Sequence, residues 1–283
     1  MLERRITFYC GEAGLPAYQL NQLKKLTTYF QSKVELFNVS QLTRAPVSQP
    51  LKMLALANKP HALCQLIING SDAELANLVL TDFIAQYGLS LSQFSPSLPF
   101  KISLPLTSIY SGKSNQSYSC INKAETIAQL SQMLVAQQAI TSEQQPALQQ
   151  ALLARETISA TVMGPGIAFT SEQQPALQQA LLARETISAT VMGPGIALPH
   201  VMHEMITKPA MAIVCHHRAI DWGSSRGNIS RAIAMVLPKP PLKAVIMAFA
   251  QFSKCLLNDD FCAALTSAQQ PQELKALVIE ALR

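Results

Sequence analysis

The chain has 283 residues, 49% of them hydrophobic and only 14% charged, with a net charge of +5. At about 100–200 residues per domain, that length accommodates two separate cores. Lys and Arg never occur in runs longer than two, so no concentrated positive field exists and nucleic-acid binding is excluded. The start, MLERRITFYCGEAG, lacks the apolar run of a signal peptide. The most apolar stretch, Ile229 to Phe252, is interrupted by Lys239, Pro240, Pro241 and Lys243, and cannot offer the ~20 continuous apolar residues of a membrane span. The expectation is a cytoplasmic protein without direct membrane insertion.

Residues 1–88 alternate strand and helix. Ile6, Phe8 and Cys10 alternate on a first strand, and Pro16 opens a helix in which Leu20, Leu23, Leu26 and Phe30 recur at helical spacing. A second strand holds Val34 and Leu36, a short helix follows around Leu51 to Leu56, and a third strand runs from Leu63 to Ile68. After Gly70, Ser71 and Glu74 have the spacing of a capping box, for a helix with Leu75, Leu78 and Phe83. The stretch 89–121 is rich in Ser and Pro and reads as a linker.

The second domain, 122–283, opens where Asn122 and Glu125 can cap a helix bearing Ile127, Leu130 and Leu134. Two apolar strands, Met211 to Cys215 and Ile229 to Leu237, precede a helix from about Leu242 to Leu257 and a terminal helix from about Pro271. Strands mixed with helices over this span imply a second α/β domain. The six cysteines, Cys10, Cys64, Cys120, Cys215, Cys255 and Cys262, show neither CxxC nor paired histidine spacing and read as small buried hydrophobes, not as metal ligands.

Within this domain, residues 141–168 are repeated without change as 170–197. Two identical copies are too few and too alike for a solenoid, so the repeat reads as a recent in-frame duplication or an assembly error. The first copy continues into Phe169, Thr170 and Ser171, the second into Leu198, Pro199 and His200.

Arg184-Glu185, Thr190 and the run Gly195-Ile196-Ala197-Leu198-Pro199-His200 resemble the enzyme IIA domain of the fructose/mannitol class of the bacterial sugar phosphotransferase system (PTS), whose GIAxPH pattern ends in the phosphorylated histidine. The resemblance continues through Ile220-Asp221-Trp222 and LLNDDF at 256–261. It implies that His200 is the phosphorylated nucleophile, supported by Arg184, Thr190, Gly195 and Pro199, and that no metal or cofactor takes part. The chemistry agrees: neutral imidazole both accepts and releases a phosphoryl group near neutral pH, and Pro199 favours an extended Leu198, holding His200 at a strand end. His216 and His217 read as structural or solvated, and Asp221-Trp222 as a turn over the core. The family's second histidine aligns with Val245, which cannot donate to phosphate.

The first domain resembles HPr, the general phosphocarrier of the same system. Where HPr carries Gly-Leu-His-x-Arg-Pro-Ala, this chain has Gly11-Glu12-Ala13-Gly14-Leu15-Pro16-Ala17, with Ala13 in place of the histidine and Leu15 in place of the arginine. Together the resemblances imply an α/β (α+β) two-domain architecture, a small HPr-like open-faced β-sandwich followed by an enzyme IIA mixed sheet flanked by helices. They imply phospho-HPr as donor and an enzyme IIB cysteine as acceptor. A non-catalytic regulatory module and a decayed gene product are the competing readings.

Overall fold

The computed structural model describes residues 2–92, 94, 106–111, 122–136, 144–157, 190–204 and 206–283. They fall into two compact units, 1–99 with 268–283, and 100–267. The expected α/β two-domain architecture is present, with one sheet in each unit.

The first unit contains β1 (Leu2–Cys10), α1 (Ala17–Thr27), β2 (Lys33–Asn38), β3 (Thr43–Pro46), α2 (Pro50–Ala55), β4 (Leu63–Gly70), α3 (Ala73–Tyr87) and β5 (Gly88–Leu89). Its antiparallel sheet has the order β3-β2-β4-β1-β5, with Phe8 opposite Cys64 and Leu36 opposite Leu66. Because side chains alternate along a strand, Phe8, Cys10, Val34, Leu36, Cys64, Leu66 and Ile68 share one face. They form a core with Leu15, Leu20, Leu23, Ala76 and Leu80 from the helical side.

The second face of the sheet is buried as well. Tyr9, Phe37, Leu63, Gln65 and Ile67 alternate onto its other face and are at most 3% exposed. The C-terminal helix, numbered α8 here (Pro271–Ala281), packs on β4 within this unit. The expectation groups this helix with 122–283.

The capping box expected before α3 is absent. Asp72, not Ser71, stands at the N-cap, and its carboxylate accepts from the Ser32 hydroxyl and from the Gln31 and Ser32 amides, which hold its side-chain pKa below the ordinary carboxylate value. The Ser71 hydroxyl meets Gln31, and Glu74 pairs with Arg4. The buried stripe of α3 is Ala73, Ala76, Leu80 and Ile84, which leaves Leu75 and Leu78 exposed.

The second unit begins with β6 (Leu106–Ser111), inside the stretch expected to be linker, pairing parallel to β10 (Ala210–Ile220). Its other elements are α4 (Lys123–Ala136), α5 (Gln145–Thr157), β7 (Val191–Gly193), β8 (Ile196–Ala197), β9 (His200–His203), β11 (Ile229–Pro238), α6 (Lys243–Cys255) and α7 (Asp259–Ser267). The sheet order is β6-β10-β11-β8-β7, with β9 also on β11. The Asn122 carboxamide accepts from the Glu125 amide at 2.9 Å and donates to the Glu125 carboxylate at 2.8 Å, closing the reciprocal cap expected for α4. Ile127, Leu130 and Leu134 of α4 pack with Leu148 and Leu152 of α5 against Ala212, Val214 and Ala234 of the sheet. The first copy of the duplicated segment therefore supplies a core helix, and the second supplies β7 and β8.

Among the described residues, no helix is long and apolar enough to cross a membrane, and no three His, Cys, Asp or Glu side chains are placed to hold a metal ion. The five described cysteines are buried thiols, and Cys120 lies outside the described residues.

Candidate functional site

Strands β8 and β9 are one rail interrupted by a proline. Ile196 and Ala197 lie opposite Arg231 and Ala232, and His200 lies opposite Met235, so the register along β11 is the same on both sides of the break. Pro199 has no N–H to donate to the ladder, yet its carbonyl accepts from the Met235 amide at 3.0 Å. The Leu198 amide turns the other way, to the Thr190 carbonyl at 2.9 Å. His200 is the first residue of β9 and half-buried.

The Leu198 carbonyl holds the ring. His200 Nδ1 is 2.9 Å from that oxygen. A carbonyl only accepts, so Nδ1 carries the proton and Nε2 of the neutral ring keeps its lone pair. A backbone contact two residues away thus selects the tautomer in which Nε2 keeps its lone pair.

Gly195 lies at φ +74° in the tight turn between β7 and β8, and its carbonyl accepts from both Ser230 and Arg231 amides. Gly193 serves packing: a Cβ there would stand 2.4 Å from Cys262 Sγ and 2.7 Å from the Leu256 carbonyl oxygen. Burial, with a smaller contribution from Asp259, pushes the Cys262 thiol up to about 11. Thr190, Gly195, Pro199 and His200 are thus gathered by backbone bonds around one strand break. Arg184 lies outside the described residues.

His216 and His217 sit within β10. His216 is buried, with Nε2 3.4 Å from the Thr126 hydroxyl, whereas His217 is exposed. Asp221 accepts from the Gly223 amide at 2.8 Å and Trp222 is fully buried, so this pair does fix a turn over the core. Val245 is buried in the first turn of α6.

Two arginines escaped the sequence reading. Arg231, 4% exposed, donates to the carbonyls of Leu265 and Thr266 at the end of α7 and to that of Ser230. A guanidinium there satisfies carbonyls that have no intrahelical donor and complements the negative helix end. Its signal was one cation inside the otherwise apolar run of β11. Arg226, in the loop before β11, donates to the Val191 and Met192 carbonyls on edge strand β7. Nothing in its polar loop sequence marked it out.

Residues 169–281 match a family model described as the phosphoenolpyruvate-dependent sugar phosphotransferase system, EIIA 2. No curated protein matches the chain. Among solved structures, nitrogen regulatory protein IIA-Ntr from Neisseria meningitidis aligns at 12% identity over 61% of this chain and 91% of its own, with a TM-score of 0.42. IIA mannitol from Escherichia coli aligns at 16% identity over 56% and 90%, with a TM-score of 0.37. Phosphocarrier protein HPr from Bacillus anthracis aligns at 15% identity over 29% and 98%, with a TM-score of 0.27. The stretch 169–281, which contains His200, is thus similar to the EIIA 2 family model.

Proposed function

We propose that the protein is a phosphoryl carrier of a sugar phosphotransferase system of the fructose/mannitol class, which takes its phosphoryl group from phospho-HPr on His200 and passes it to an enzyme IIB cysteine. The observation that carries this reading is the Nδ1 contact of His200 with the Leu198 carbonyl, at the end of a GIAxPH run inside the family match. The Nε2 lone pair attacks phosphorus, an N–P bond forms, and the N–P bond to the donor histidine breaks as that ring regains its lone pair. In the second transfer, a cysteine thiolate forms an S–P bond while the N–P bond to His200 breaks. Such transfers rest on positioning and charge stabilisation, so few side chains are needed. Thr190, Gly195 and Pro199 fix the backbone around the ring, and Arg184 is assigned to charge neutralisation of the phosphoryl oxygens.

The test is labelling of the intact protein by phospho-HPr. The label is expected to be acid-labile and base-stable, to vanish in His200→Ala, and to persist in His216→Ala and His217→Ala. Full labelling of His200→Ala would end the proposal.

A second reading, a regulatory module that signals through its phosphorylation state, is favoured by Val245, since a buried valine gives no hydrogen bond to a phosphoryl group. Val245→His distinguishes the two. A faster onward transfer to enzyme IIB supports the carrier; labelled protein that transfers to no enzyme IIB, with or without that histidine, supports the regulator.

A further inference from the structure

The outer face of the first sheet is built to receive a helix. Four polar side chains cross it in one direction: Arg5 Nη1 donates to Gln65 Oε1 at 2.7 Å, Gln65 Nε2 donates to the Thr7 hydroxyl at 2.9 Å, and Thr7 donates to Glu273 Oε1 at 2.5 Å. Gln65 Nε2 also lies 3.4 Å from the same carboxylate oxygen. The chain begins on a cation and ends on an anion, and each donor has an acceptor, so its members polarise one another in the same sense. Gln65 is fully buried, and Glu273 is the residue that α8 brings to it. The other Glu273 oxygen accepts from the Gln269 amide at the start of α8. Leu274, Leu277, Val278 and Ala281 of α8 are buried, and so are Tyr9, Leu63 and Ile67 of the sheet. Further along, Glu280 and Arg283 pair with each other and bear electrostatically on Tyr9.

We infer that this face is a helix-binding surface whose occupant is the chain's own C-terminal helix, fixed in register by Glu273. The family match runs through Ala281, yet in this protein residues 268–283 complete the first unit. Apolar burial gives the helix its affinity for the sheet, and a carboxylate in the first helical turn fixes where it stops. A helix without that carboxylate leaves the half-buried Thr7 hydroxyl without its acceptor and Gln65 with Thr7 alone, which disfavours other apolar helices.

Amide hydrogen exchange on the full chain tests this. Glu273→Ala and Thr7→Val are each expected to speed exchange of the β1 and β4 amides roughly tenfold while leaving β10 and β11 unchanged. Because both remove the same bond, the double variant is expected to exchange no faster than the faster single variant. Additive effects, unchanged β1 and β4, or an equal loss of protection in β10 and β11 would overturn the inference. The rates are also expected to be independent of protein concentration; protection that rises with concentration would mean that a second copy donates the helix, and would overturn the assignment to the same chain.

Discussion

The turn Gly11–Ala17 in the first unit and the strand break Gly193–His200 in the second differ in what each carries. In the first, the backbone is intact. Gly14 lies at φ +67°, its amide donates to the Gly11 carbonyl, and a Cβ on it would come within 2.2 Å of the Asn58 carbonyl oxygen. Yet exposed Ala13 offers no nucleophile, and Leu15 has turned inward to join the core. In the second, a histidine stands at the strand break, its ring held by its own chain. The contrast teaches that a turn is fixed by steric necessity independently of chemistry: glycine is required by φ and close approach, whatever side chains flank it.

Because the units have separate cores, perturbations should separate them, beginning with the largest. Arg231→Met removes the guanidinium from the carbonyls at the end of α7 and is expected to destabilise the second unit by about 2–3 kcal/mol, since those oxygens then lie buried without a donor. Hydrogen exchange should report this in β10 and β11, with β1 and β4 unaffected.

The opposite selectivity is expected at high pH. Burial raises the Tyr9 phenol well above its ordinary 10.0, the Glu280 carboxylate adds to the rise, and Arg283 partly opposes it. The folded chain thus keeps a proton that the unfolded chain sheds above that value, so stability is intact below pH 10.0 and falls as pH rises beyond it, by about 1.4 kcal/mol per pH unit. A pH series of chemical denaturation on wild type and Tyr9→Phe checks this; equal slopes above pH 10.0 would remove Tyr9 from the account.

The smallest effect is expected from deleting 141–169. Leu148 and Leu152 would leave the core, but Leu177 and Leu181 stand at the same places in the second copy and arrive on a shorter connection. Thermal melting should change by less than about 0.5 kcal/mol, because loop-closure cost varies slowly with length. A large fall would show that both copies are integral.

Much of this was legible in the residues. The Asn122–Glu125 cap, the strands of Met211 and Ile229, and a histidine placed by proline at a strand start all follow from local rules, which need only neighbours in sequence. What was not legible depends on partners far along the chain. Strand β6 lies in a Ser/Pro-rich stretch and gains its place by pairing with β10, about a hundred residues later. Asp72, not Ser71, stands at the N-cap, and its carboxylate binds the Gln31 and Ser32 amides, which lie 41 and 40 residues earlier in the chain. The tautomer of His200 rests on a side chain meeting a carbonyl across a proline, which no spacing rule encodes.

The place of α8 has a consequence for biosynthesis. The five strands of the first sheet are synthesised before residue 100, but the helix that covers Tyr9, Leu63 and Ile67 is made after all of Phe100–Ser267. At ~5–20 residues per second, that apolar face waits on the order of ten to thirty seconds for its cover. Through that interval the nascent chain exposes a surface shaped for a helix, which makes it a substrate for chaperones that hold apolar segments and a point at which truncated synthesis yields a sticky product.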